Sequence, residues 1–255
     1  MTQSLNLMNS KIVAISQPTF LPWLGWFDLA DQVDLFVILD DVAFSKQSWQ
    51  QRNRIRTLNG LEFLSVPVKT AGRLGQQIRV CELANELFVV KMLKTLRASY
   101  MKAPFFHAYF DEFAETFETV AKTKSLLELN CALISWLAGK LEVTTPMLRA
   151  SSLGASGERG ERVAAICEML GASKYLSPAG AEEYLVEDKS SFDSRRISVE
   201  MHMYMHPEYT QRFAPFMAYA SALDLVFNVG PAAGNVMRAG RLKSRALDSN
   251  LINKG

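Results

Sequence analysis

The sequence predicts an α/β fold with a mainly parallel sheet, helices on both of its faces and a helical segment in the middle of the chain. Three observations predict it. Short apolar runs alternate with segments of helical spacing at both ends of the chain. The strand candidates are apolar throughout instead of alternating, as strands covered on both faces are. Three consecutive helical patterns occupy the middle, over about 86–140, which the sequence suggests as a helical subdomain of a single 255-residue α/β domain.

The elements follow in order. KIVAIS, Lys11 to Ser16, is a β-branched strand; Trp23 to Gln32 has helical apolar spacing; VDLFVIL, Val33 to Leu39, is a second strand. In a parallel pair the loops after both strands open on one edge, where ligands of open α/β sheets sit. Gln17, Pro18 and Thr19 would meet Asp40 and Asp41 there. LEFLSVPV, Leu61 to Val68, is expected as a strand whose Pro67 marks an edge or an end. Helices are expected over 87–100, 105–121 and 126–140, then over 161–170 after a Ser- and Gly-rich stretch at 151–157. A strand at 173–176 leads through the turn SPAG to a helix at 181–185. A strand at 197–203 and a closing helix at 216–227 follow, and from about Arg238 the tail is basic and polar, with fraying expected.

Composition bounds the function. The 49% hydrophobic content supports a large core, and 28 basic against 26 acidic residues leave a net charge of +2. A balance that small makes no overall basic field for nucleic acid, so an anion site must be local. Cys81, Cys131 and Cys167 lack metal or redox spacing and read as thiols of a reducing cytoplasm. The first eleven residues are too short and polar for a signal peptide, and no apolar run reaches membrane-spanning length. A cytoplasmic location is expected.

The strongest constellation is SKQSWQQRNR, with Lys46, Ser48, Trp49, Arg52, Asn53 and Arg54. Arginine forks grip phosphate bidentately, lysine adds a point charge, and an indole face stacks a base or a sugar ring. Read as a loop, this segment suits a diphosphate-linked sugar; read as structure, its arginines pair with Asp40 and Asp41. One of those two carboxylates is expected in the cleft as a general base or a divalent-metal ligand. Gln17, beside the rigid Pro18 to Pro22 loop, would present its amide to the same patch. His206 is a candidate proton shuttle, with a turn residue before Pro207 as the alternative. His202, four residues earlier, makes only a weak zinc pair with it, because no third ligand follows at fixed spacing. Asn130, alone in an apolar helix, either ties a backbone group or faces the pocket. No motif specifies a cofactor or a metal.

QPTFLPWLGWFDLADQVDLFVILDD, SKQSWQQRNRI, FLSVPV, YMKAPFF, GASKYLSPAG, HPEYTQ and LDLVFNVGP together resemble the WbqC-like family, encoded mostly among bacterial O-antigen and other surface-polysaccharide genes. The likeness runs over about residues 11 to 235. Many members carry His before the QP pair, where this chain has Ser16, and Pro178 replaces the glycine usual after YLS. The resemblance implies a transferase modifying a nucleotide-linked or lipid-linked sugar, for example by acyl or aminoacyl transfer to an amino sugar, in contact with polysaccharide-assembly enzymes. Asp40, Asp41 or His206 would remove the acceptor proton, while Gln17, Asn130 and the Lys46 to Arg54 segment bind substrate. A second resemblance is to nucleotidyltransferases with an HxGH motif, whose four positions fall on Trp23, Leu24, Gly25 and Trp26; both histidines are missing. A non-enzymatic accessory protein of the same pathway is the third reading.

Overall fold

The computed structural model describes residues 11–247. The N-terminal stretch read for a signal peptide falls outside them up to residue 10, as does the tail beyond 247. At the centre is a sheet of β1 (Ile12–Ser16), β2 (Leu35–Ile38), β5 (Met147–Arg149), β6 (Lys174–Ser177), β7 (Ser198–Met201) and β8 (Arg245–Ala246). Its order is β5-β2-β1-β6-β7-β8, and every pairing is parallel except that of the short β8. The mainly parallel α/β architecture is therefore as expected.

The two faces of the sheet explain why its strands are apolar throughout. Ala14 and Phe36 face one core with α1 (Leu24–Asp31), α2 (Leu87–Tyr100), α3 (Phe106–Ala121), α4 (Leu126–Lys140), α8 (Ala222–Val229) and α9 (Ala233–Ala239). Val13, Ile15, Leu35 and Val37 face the other, with α5 (Arg159–Met169), α6 (Glu182–Glu187) and α7 (Lys189–Asp193). Successive side chains on a strand point to opposite faces, so burial on both sides needs an unbroken apolar run.

Three expectations change. The closing helix expected over 216–227 starts only at Ala222, as α8. The stretch read as a basic loop is a turn only up to Gln51; from there β3 (Arg52–Thr57) pairs antiparallel with β4 (Gly60–Ser65) in a separate two-stranded hairpin. The alternation was there to read, since Asn53, Ile55 and Thr57 turn inward while Arg52 and Arg54 turn out. Within the described residues, the tail from Arg238 to Leu247 is held in place. Arg238 closes α9 and binds Asp31 bidentately at 2.9 Å, and Arg241 reaches Asp31 at 2.6 Å.

The direction of chain growth reverses at β1, with β2 on one side of it and β6 on the other. Open α/β sheets part their loops at such a switch point and leave a crevice beyond the carboxyl ends of the strands.

Candidate functional site

A cavity of about 400 Å³ occupies this crevice. Its floor comes from the strand ends: Ser16 closes β1, Pro178 and Ala179 follow β6, and His202 follows β7. Its walls are Trp23, Trp26 and Gly25 at the start of α1, Trp49, Asn53 and Arg54 from the hairpin, and Tyr204 and Tyr219. Five aromatic side chains thus surround a space the size of a sugar or a single base.

Local sequence explains how the wall is held. Gly25 lies under the Trp23 indole, so closely that a Cβ there would stand 2.3 Å from a ring carbon. Only glycine lets the indole lie across the helix start. That indole meets Tyr204 edge-on at 5.6 Å and Tyr219 at the same distance. On the hairpin side, the Asn53 amide donates to the carbonyls of Phe20 (3.1 Å) and Leu21 (2.8 Å), and its oxygen accepts from the Arg54 amide. This ties β3 to the loop after β1.

The polar groups of the cavity are unusual in what they leave unmade. Thr19 Oγ1, Trp26 Nε1 and Arg54 Nε are buried and have no hydrogen-bond partner among the described residues. Buried polar atoms are nearly always paired, so three stranded in one space point to a ligand. Among the described residues Arg54 is the only lysine or arginine lining the cavity, and it has no carboxylate partner there; its guanidinium sits 5.5 Å from the Trp49 ring centre.

Beneath them His202, only 5% exposed, places Nε2 2.7 Å from Oδ2 of the fully buried Asp28. Asp28 also accepts from Gln32 Nε2 at 2.6 Å and from Arg241 Nε at 2.9 Å. A carboxylate accepts but does not donate, so the proton shared with Asp28 belongs on Nε2, and in the neutral ring that leaves the lone pair on Nδ1. Nδ1 has no partner among the described residues. The next pair continues the charge chain. Burial pushes the Asp31 carboxyl up, but the hydrogen bonds and charges of Arg238 and Arg241 outweigh it and hold the group below its ordinary value. Burial pushes the Tyr204 hydroxyl well up, and it donates to the Met237 carbonyl at 2.9 Å.

Among the candidate residues, the cavity brings together Trp49, Asn53 and Arg54. Asp40 is fully buried and accepts from the Ser151 amide (2.9 Å) and hydroxyl (2.7 Å), so it anchors the 151 turn. Asp41 forms an ion pair with Arg162, not with Arg52 or Arg54. Gln17 lines a second cavity with Arg159 and Arg162, and its side-chain oxygen accepts from Gln50 Nε2 at 2.7 Å. Asn130 donates to the Pro18 and Gln50 carbonyls at 3.1 and 2.8 Å, tying together the same two segments that Asn53 joins. Ser48 closes its own turn on the Ser45 carbonyl, Lys46 is exposed, and Arg52 lies 4.5 Å from the Phe63 ring centre. His206 sits behind Tyr219, at 5.4 Å between rings, with Nδ1 on the Pro207 carbonyl; burial lowers its pKa.

Sequence reasoning passed over Asp28, Tyr204 and Tyr219 as site residues, weighed His202 only as a weak zinc partner and Trp23 and Trp26 as the HxGH positions, and gave Thr19 no role beyond its place at the strand end. One signal was present. Asp28 is the one acid inside the apolar stretch WLGWFDLA, and a buried acid needs a partner. Among the described residues no three of His, Cys, Asp and Glu converge as a metal site, and no helix is long and apolar enough to cross a membrane.

The chain is 33% identical over 229 residues to the uncharacterized protein Rv1507c of Mycobacterium tuberculosis, a match covering 89% of this chain and 98% of that one. No solved structure matches it significantly. The WbqC-like protein family matches residues 17–236, which include all of the cavity lining except Ser16. The chain belongs to the WbqC-like protein family.

Proposed function

We propose that the protein is a transferase acting on a phosphate-linked sugar in bacterial surface-polysaccharide assembly, with its reacting groups in the cavity between β1 and β6. The observation that carries this reading is Arg54, a guanidinium among aromatic rings with no ion pair among the described residues. A half-buried cation without a carboxylate beside it is stabilised by an anionic ligand, and phosphate suits its planar fork. The indoles and tyrosines stack against a sugar ring, and Thr19 Oγ1 and Trp26 Nε1 supply further hydrogen bonds.

His202 takes the general-base role in place of Asp40, Asp41 or His206. Its Nδ1 accepts a proton from a sugar hydroxyl or amine as that group attacks the carbonyl of an acyl thioester; the new C–O or C–N bond replaces the C–S bond, whose electron pair leaves with the donor thiolate, and Nε2 keeps its proton on Asp28, which orients the ring. Asp40 and Asp41 are spent on Ser151 and Arg162. The geometry favours this over HxGH-type nucleotidyl transfer, because the Trp23 indole covers Gly25 where phosphates would approach the helix start.

Thermal unfolding against a panel of nucleotide sugars, free nucleotides and isoprenyl phosphate sugars tests the reading. A ligand at a hundredfold its dissociation constant adds about 2.7 kcal/mol of stability. The expected result is a rise in Tm with a sugar phosphate that Arg54→Ala abolishes while His202→Gln retains it. A flat panel, or a rise that Arg54→Ala leaves intact, overturns the proposal.

A further inference from the structure

The mouth of the cavity is continuous with an exposed face that the cavity does not need. On the outer side of the β3–β4 hairpin, Arg52 pairs across the strands with Ser65 and Arg54 with Phe63. Phe63 and Trp49 are each 49% exposed, with ring centres 5.9 Å apart. Each carries a guanidinium, Arg52 at 4.5 Å from the Phe63 ring and Arg54 at 5.5 Å from the Trp49 ring. Leu58 in the hairpin turn is 76% exposed, and Met217, itself partly open, packs beside Gly60 at the base of that turn. Tyr219, on the cavity's far wall, is also half exposed. Neither arginine forms an ion pair among the described residues, and neighbouring Lys46 is exposed and likewise unpaired.

Large exposed apolar side chains interleaved with unpaired cations fit the boundary of an anionic bilayer. Indole and phenyl rings settle at headgroup depth, an aliphatic turn enters the acyl boundary, and arginines meet lipid phosphates. A single-stranded nucleic acid would need a longer basic groove with successive stacking platforms. Here two ring-and-guanidinium pairs occupy one short hairpin and the turn that leads into it, on a protein whose net charge is +2.

We propose that the outer face of the β3–β4 hairpin docks on an anionic membrane surface, so that the cavity receives a sugar carried on a lipid phosphate. Trp49 and Arg54 belong to both the face and the cavity lining, so a carrier lipid lying in the interface would deliver its phosphate to Arg54. The choice of lipid-linked over nucleotide-linked substrate rests on the reading of the cavity as a sugar-phosphate site; the docking surface does not.

Cosedimentation of the full chain with vesicles of phosphatidylcholine, with and without 30% phosphatidylglycerol, tests it. Binding to the anionic vesicles alone, weakened by salt, is expected. Arg52→Ala should lower partitioning about fivefold, the loss for one interfacial cation, and Leu58→Ser with Phe63→Ser should lower it further. None of these three residues lines the cavity, so a sugar-phosphate Tm rise should survive in all the variants. Circular dichroism confirms that they fold. No binding to anionic vesicles at low salt, binding indifferent to these substitutions, or preferential capture of oligo-dT by the same face overturns the docking proposal. The Tm rise then reports separately on the cavity.

Discussion

At the residue scale, Asp28 shows how one buried charge can organise a site. It is fully buried, yet its two oxygens accept from Gln32, His202 and Arg241, so little of its hydrogen-bonding capacity is wasted. Truncating one partner of such a cluster strands the others. Asp28→Ala is expected to cost about 3–5 kcal/mol of unfolding free energy in urea titrations, the loss typical when a buried ion pair is broken from one side. His202→Gln should cost far less, because glutamine can still donate to Asp28. A similar cost for the two would show that the pair is only structural packing. Asp28 was legible as an anomaly in an apolar helix. Its partner was not, because His202 lies 174 residues away and adjoins it only through the placement of β7.

At the element scale, two asparagines hold the cavity's front wall. Asn53 fastens β3 to the Phe20 and Leu21 carbonyls, and Asn130 in α4 clamps the Pro18 and Gln50 carbonyls. Replacing either by alanine leaves buried acceptors unsatisfied, at about 1–3 kcal/mol for each stranded group. Both Asn53→Ala and Asn130→Ala should therefore lower Tm and accelerate amide exchange selectively in residues 17–22 and 48–54, while exchange in β6 and β7 stays unchanged. Uniform acceleration across the sheet would contradict the clamp. The long helices at 87–100 and 126–140 were legible to within a residue, because their period is strong. The hairpin was not: charged outward residues made RNRIRT look like a loop, although its inward set is Asn53, Ile55 and Thr57.

At the scale of the whole molecule, stability should fall as the medium is acidified below neutrality. Burial lowers the pKa of His206 from its ordinary 6.5, so the neutral ring's contribution is complete above that value and is lost as pH falls through the lower folded one. Asp31, held low against the pull of burial by Arg238 and Arg241, adds a later loss below its ordinary 3.8. Asp224 works in the other direction. Burial raises its carboxyl, so its contribution is complete below 3.8 and disappears as pH rises through the higher folded value. Urea titrations of the parent and His206→Gln from pH 7 to 5 separate these: the parent should lose stability more steeply than the variant. Equal slopes would show that folding leaves the pKa of the imidazole unshifted.

The sequence by itself determined the class of fold, since unbroken apolar strands between amphipathic helices bury both faces only in a covered parallel sheet. It also pointed the segments after β1 and β2 to one edge, because the loops after parallel strands share it; the β3–β4 hairpin then decided which of the residues after β2 reach the cavity. Tertiary structure alone decided which acids and bases meet. Asp40 turned to Ser151 and Asp41 to Arg162, while Asp28 and His202 came together under the cavity. The physical reason is that strand order sets these neighbours. No local period records that β6 and β7 will add on the open side of β1, and it is that addition which builds the crevice.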